Sequence, residues 1–174
     1  KTLAESDPEV SEAIDFCRFY ANSANYFCTL AALSARPRGV VVVVSPWNFP
    51  LAIPCGGVAA ALATGNNVIL KPASDTVLIA YELCQCFWRA GVPKTVLQFA
   101  PCSGGTVGQR LVSHDGVDAV ILTGGTSTAA PMLPQEPAVP SGARGQFPTA
   151  LSANAALICG TGVLLGLLSG ALLM

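Results

Sequence analysis

An α/β fold built on a doubly wound parallel sheet follows from three observations. Val40 to Val44 is an unbroken β-branched run without polar alternation, as expected of a strand buried on both faces. Further short apolar runs recur at Val68 to Lys71, Val96 to Ala100 and Ala119 to Thr123. Segments with helical spacing of small and apolar residues separate them, so strands and helices alternate, the pattern of a parallel sheet with crossover helices.

Taken in order, the first segment reads as a long helix. Asp7 is its expected N-cap and Pro8 its first helical residue. Val10, Ala13, Ile14, Cys17, Ala21, Ala24 and Phe27 recur at helical spacing to about Ala32. Glu9, Glu12, Asp15 and Arg18 fall on the other side and are expected to form a solvated face. Arg36-Pro37-Arg38-Gly39 turns the chain into the valine strand, which ends in Ser45-Pro46-Trp47-Asn48-Phe49-Pro50. Leu51 to Ala63 reads as a helix with a small side (Ala59, Ala60, Ala61, Ala63), and Gly65-Asn66 stops it. After the second strand Asp75 is the expected cap of a helix over Thr76 to Ala90, with Val77, Ala80, Tyr81, Cys84 and Trp88 on one face. Gly104-Gly105-Thr106-Val107-Gly108 opens a short helix to about Val112, and the fourth strand closes on Gly124-Gly125.

Composition narrows the function classes. The 174 residues are 52% hydrophobic and 11% charged, with a mean hydropathy of +0.55. That is more apolar than a free-standing soluble domain of this size requires, so surface packed on further protein, or a membrane segment, is expected. A formal charge of −1 without a basic cluster offers nucleic acid no electrostatic footprint. The seven cysteines lack zinc-ligand spacing and no secretory signal opens the chain, so no metal site and a reduced, cytoplasmic setting are expected. The opening Lys1, rather than Met, is expected of a piece of a longer chain. His114, in Ser113-His114-Asp115-Gly116, reads as an exposed structural loop residue.

Four segments are expected: a helical one over 1–38, a partial nucleotide-binding domain over 39–130, a proline-rich linker over 131–154 and an apolar tail over 155–174. The tail carries no charge and is about the 20 residues that a bilayer crossing needs. A stretch foreign to the rest of the chain, from a shifted reading frame, is the leading reading. A membrane anchor and a buried apolar helix stay open beside it.

Physically, the Asn48 turn and Lys71 end two strands at the edge where open α/β sheets bind ligands. An Asn flanked by two aromatics and two prolines is expected to be held still, and a fixed amide NH2 suits an oxygen that gains negative charge. No G-x-G-x-x-G is present, because Gly104, Gly105 and Gly108 have the wrong spacing. Pro46-Trp47-Asn48-Phe49-Pro50, with Lys71-Pro72-Ala73 at the end of the next strand and Leu122-Thr123-Gly124-Gly125-Thr126 later, resembles the aldehyde dehydrogenase superfamily. The flanking residues are most similar to L-glutamate γ-semialdehyde (1-pyrroline-5-carboxylate) dehydrogenases, often fused to proline dehydrogenase. The resemblance covers roughly residues 1–130.

What it implies is an NAD-dependent oxidation of an aldehyde to a carboxylate, with NADP also allowed, in a parent enzyme that forms a homo-oligomer. Asn48 then resembles the amide that holds the oxyanion, and Trp47 with the backbone of Val44 and Ser45 resembles the wall beside the cofactor. Lys71 resembles the residue that bonds the adenosine ribose hydroxyls, and Gly104 the glycine that lets adenine approach. Gly124 and Gly125 resemble the turn that meets the pyrophosphate at a helix start. Each has a plain alternative: a turn Asn, a solvated strand end, turn glycines.

Two positions depart from the pattern. Ser74 stands where many members carry a Glu that disfavours a 2′-phosphate, which loosens the choice between NAD and NADP. Gly125 stands where a serine often reaches the pyrophosphate. The family's Glu-x-Gly-Gly base motif and Gly-Gln-x-Cys nucleophile motif occur nowhere in the 174 residues; Gly145-Gln146-Phe147 runs into Pro148. Activity of the chain alone is therefore not expected, and a non-catalytic nucleotide-binding or membrane-tethered module is the alternative.

Overall fold

The computed structural model describes residues 1–30 and 35–129. The expected linker and apolar tail, with their proposed membrane contact, lie outside the described residues. Nine elements matter here: α1 (Leu3–Thr29), β1 (Val40–Val44), α2 (Ala52–Ala63), β2 (Asn67–Lys71), α3 (Val77–Arg89), β3 (Leu97–Phe99), α4 (Thr106–Val112), β4 (Ala119–Leu122) and α5 (Thr126–Ala129). No helix among the described residues is long and apolar enough to cross a membrane.

The four strands form one parallel sheet in the order β3-β2-β1-β4. The chain steps outward from β1 to β2 to β3, then returns across the sheet to place β4 on the far side of β1. Strand order therefore reverses between β1 and β4, the doubly wound pattern the sequence predicts. Side-chain alternation divides the core accordingly. Val41 and Val43 point with Val68, Leu70 and Leu97 into one apolar cluster with Cys55, Val58, Ala61, Ala80, Leu83 and Cys84 of α2 and α3. Val42 and Val44 point with Leu122 to the other face, where Leu111, Val112, Val117 and Ala129 pack. This is why the valine run shows no alternation: both faces are buried.

Helix α2 is squeezed from two sides. At Gly57 a Cβ would lie 2.8 Å from Val43 Cγ1, and at Gly56 a Cβ would lie 3.2 Å from the Phe16 ring of α1. These glycines, rather than Ala60 and Ala63, are the positions of closest approach. Beyond α2, Gly65 takes φ +80°. Asn66 then ties the helix end to the lead-in of β1, accepting at Oδ1 from the amides of Arg38 (2.7 Å) and Gly39 (3.0 Å) and donating from Nδ2 to Ala61 O (3.1 Å). Gly39 is the residue the chain cannot exchange: φ is +127°, and a Cβ would run into the carboxylate of Asp118, which binds the Val40 amide.

Four local expectations are corrected. Helix α1 starts at Leu3 with Thr2 as its cap, not at Asp7-Pro8; Glu5 Oε2 accepts from the Thr2 backbone amide (2.8 Å) and hydroxyl (2.9 Å). Pro8 lies within the helix, which continues past the bond its missing N–H would have made. The packed side of α1 is rotated, because Val10 and Ile14 stay half exposed while Ala13 and Tyr20 are buried. Asp75 caps nothing: it lies in a single 3-10 turn, Ser74–Thr76, and α3 starts after Thr76 without a side-chain cap. On α3 Leu83 joins Ala80 and Cys84 in the core, while Tyr81 packs its ring against Trp88 and Phe99 at the surface.

Gly57→Ala should lower unfolding free energy by about 1–3 kcal/mol, the usual cost of over-packing a tight core contact. Urea unfolding followed by circular dichroism measures it, and an unchanged midpoint would mean that α2 does not sit this close to β1.

Candidate functional site

Parallel strands ending together bring their last residues into one row. Val44 is in register with Lys71 on one side and with Leu122 on the other. Past that row the backbone continues the ladder: Ser45 N donates to Lys71 O (3.3 Å), and Thr123 N donates to Val44 O (3.0 Å). The turn from Ser45 to Pro50, the end of β2 and the Gly124-Gly125 turn therefore leave the same edge of the sheet, at the point where strand order reverses. In an open α/β sheet this is the crevice where ligands bind.

Lys71 is 4% exposed, although it carries a formal charge. It shares β2's second face with Ile69, so its stem crosses α4, where a Cβ on Gly108 would lie 2.9 Å from Lys71 Cε and 2.9 Å from Ser103 O. Its ammonium donates to the Pro72 carbonyl at 3.1 Å. Among the described residues no ion pair involves it. An ammonium in this position has donor capacity to spare.

Of the other candidate residues, Val44 and Ser45 are buried, and Ser74 and Gly104 are exposed. Trp47 is 67% exposed and Phe49 38% exposed, and Asn48 between them faces solvent. The expectation that aromatic rings hold Asn48 on both sides is not met within this chain: Trp47 stands clear, and Phe49 lies under the Lys1 ammonium, 4.0 Å from its ring centre. At Gly104, Gly105 and Gly124 a Cβ would meet nothing within 4 Å, and none of the three has a positive φ. Neither internal packing nor backbone strain calls for glycine there. The space stays open to a molecule that approaches the backbone, which fits a flat ring or a phosphate group.

Glu9 is the residue that sequence reasoning misplaced. Assigned to the solvated face of α1, it is 4% exposed. Its Oε1 accepts from the amides of Leu51 (2.8 Å) and Ala52 (3.2 Å), and its Oε2 pairs with the Lys1 ammonium. Burial pushes its pKa up, but the Lys1 ammonium and the two amides more than offset this and hold the carboxyl below the ordinary 4.5. The available signal was the first turn of α2, which has neither an acidic residue nor a side-chain cap and so needs an acceptor from elsewhere.

Among the described residues, two of the surface grooves bear on the site. One, lined by Lys1, Glu5, Pro8, Asn48 and Phe49, lies beside the Asn48 turn. A larger and almost wholly apolar one runs under α4 toward the amino ends of the strands, lined by Val40, Ile69, Leu111, His114 and Val117. It lies away from the row of strand ends. His114 itself accepts at Nδ1 from the Gly116 amide (3.0 Å) in an exposed turn, as expected of a structural loop histidine. No group of three or more metal-ligating side chains occurs among the described residues.

Comparison with known proteins agrees with the resemblance. The sequence model described as "Aldehyde dehydrogenase family" matches residues 1–138. The chain is 46% identical over 129 residues to the bifunctional protein PutA of Escherichia coli (strain K12), covering 74% of this chain and 10% of that protein. It is 41% identical over 134 residues to the 1-pyrroline-5-carboxylate dehydrogenase of Anoxybacillus flavithermus, covering 71% of this chain and 26% of that one. Among solved structures, proline utilization A from Corynebacterium freiburgense superposes with a TM-score of 0.71 at 48% identity, over 75% of this chain and 14% of that one. An NADP-dependent glyceraldehyde-3-phosphate dehydrogenase from Bacillus halodurans, complexed with NADP, superposes with a TM-score of 0.65 at 31% identity, over 72% of this chain and 29% of that one. The chain thus spans a tenth to a little over a quarter of these proteins.

The Glu9 environment fixes the sign of a pH effect. A carboxyl whose folded pKa is depressed adds stability above its unfolded pKa, and that stability is lost as pH falls through the folded value. Between about pH 6 and pH 3 the parent chain should therefore lose more stability than Glu9→Gln. Urea midpoints at each pH measure this, and parallel losses would contradict the assignment.

Proposed function

Because this chain belongs to the aldehyde dehydrogenase family, we propose that it is the dinucleotide-binding part of an NAD(P)-dependent aldehyde dehydrogenase whose intact form oxidises L-glutamate γ-semialdehyde in proline catabolism. The observation that carries this reading is the row of strand ends around β1: the Ser45–Lys71 backbone bond joins the Asn48 turn to the lysine-bearing strand, and the Thr123–Val44 bond joins it to β4, across which strand order reverses. The similarity to PutA and to 1-pyrroline-5-carboxylate dehydrogenases supports the substrate class.

A nicotinamide bound at this edge supplies an acceptor for the hydride that leaves the aldehyde carbon. The chain's own groups bind and orient. Lys71, with spare donors and a stem braced against Gly108, is suited to the vicinal hydroxyls of a ribose. Ser74, in the 3-10 turn that follows, offers a hydroxyl and no charge of its own, so its side chain does not repel a 2′-phosphate; the carboxylate of that turn is the neighbouring Asp75. Gly104 leaves its backbone open to a flat adenine. Gly124 and Gly125 precede α5, and amides at a helix start attract the pyrophosphate. Trp47 and the Val44–Ser45 backbone would line the wall beside the dinucleotide.

Asn48 is the residue assigned to the chemistry. Its exposed amide can donate to an aldehyde oxygen as negative charge builds on it, and a preorganised donor of this kind is worth about 3–4 kcal/mol. The nucleophilic thiol and the base that activates water belong to the two motifs missing from these 174 residues. Cys55 and Cys84 cannot substitute: both are buried, and desolvation pushes the Cys84 thiol up to about 11 and Cys55 higher still. The chain alone therefore binds without turning over.

Calorimetric titration with NAD and with NADP should give saturable binding of both. Lys71→Ala should weaken each by about tenfold, the usual loss for a charged hydrogen bond. Ser74→Glu should weaken NADP by at least about tenfold relative to NAD, because it sets a carboxylate against the 2′-phosphate. Absence of binding would overturn the dinucleotide assignment, and aldehyde-dependent reduction of NAD by the purified chain would overturn its inactivity.

A further inference from the structure

The turn that carries Asn48 has few holds of its own. Its first end is fixed by β1, but beyond Ser45 the chain runs through exposed Trp47 and Asn48 before reaching α2. What fixes the second end is supplied from α1, 42 positions earlier in sequence. The first amides of a helix have no carbonyl partner within it, and Leu51 and Ala52 give theirs to the buried Oε1 of Glu9. Nothing local competes: Leu51, the residue before α2, has no capping side chain, and the first turn of α2 contains no acidic residue. The second oxygen of Glu9 holds Lys1, and the Lys1 ammonium in turn lies over the Phe49 ring. One carboxylate on α1 thereby grips the backbone three residues after Asn48 and, through Lys1, the side chain next to it.

We infer that Glu9 is a positioning residue for Asn48: a cap delivered from α1 that fixes where the Asn48 amide points. The carboxylate touches neither Asn48 nor any reacting atom, and its effect runs through the Leu51 and Ala52 amides and the Phe49 ring. This rests on the reading of Asn48 as an oxyanion donor for its purpose, though not for the grip itself. It also accounts for a buried negative charge on a helix that otherwise packs through Ala13, Phe16 and Tyr20. A charge would not be kept out of water there unless it satisfied donors that have no other partner.

Amide hydrogen exchange and 15N spectra of the full 174-residue chain, without ligand, test the inference. In Glu9→Ala, exchange at Leu51 and Ala52 should speed up by about tenfold or more, as expected for losing a charged acceptor. The Val42 to Val44 amides should keep their protection, while the Asn48 side-chain NH2 and Trp47 indole signals shift. Glu9→Gln retains an oxygen acceptor and should restore most of the protection at Leu51. If Leu51 and Ala52 exchange no faster in Glu9→Ala, or if β1 loosens equally in both variants, Glu9 is ordinary packing and the inference falls. Because no ligand is present, that failure is separate from failure of the unsubstituted chain to bind dinucleotide, which would sink the functional reading instead.

Discussion

The elements around β1 are placed by the demand that it be covered on both faces and both edges. Four of its five valines are buried, and burying an aliphatic side chain of this size is worth roughly 1.5–3 kcal/mol. One face requires α2 and α3, the other α4 and α5, and the two edges require β2 and β4. A strand so enclosed admits no polar side chain along its length. Polar groups therefore collect at its two ends, where they divide the work.

At the amino end they hold the fold together. Asn66 satisfies two backbone amides and closes α2 onto the approach to β1, while Asp118 takes the Val40 amide beneath a glycine whose conformation no other residue adopts without strain. Every one of these groups is engaged. At the carboxyl end the inventory is different: a buried ammonium with one carbonyl for a partner, an exposed amide, and three glycines whose missing side chains would touch nothing. Satisfied polar groups mark structure, and spare capacity marks a place for something else to bind. The larger apolar groove lies toward the satisfied end, which is why its size says little about ligand chemistry here.

Much of this was legible in the sequence, for physical reasons that can be named. The valine run declared a two-sided strand, the Gly65 stop matched a left-handed turn, and the Trp47-Asn48-Phe49 turn fell at the strand end where the pattern put it. Glu9 was not legible. Helical periodicity assigns a carboxylate to the solvated side unless its partner is known, and its partners are backbone amides on another helix. The start of α1 was misread because Asp7-Pro8 imitates a cap so well, while Thr2 with Glu5 offered an equally good one nearer the terminus. Asp75 imitated a cap in the same way, and a 3-10 turn took the place of the first helical turn. Trp47 stays exposed, and none of the described residues covers its ring.

We propose the carboxyl row of the sheet, and not the apolar groove at the opposite end, as the place that receives a dinucleotide. Residue-resolved chemical-shift mapping during a titration with NAD tests it most directly. Saturable shifts should be confined to the amides of Ser45, Trp47, Asn48, Lys71, Ser74, Gly104, Gly105, Gly124 and Gly125. Shifts clustered instead at Val40, Leu111, His114 and Val117, with the carboxyl row unmoved, would contradict it.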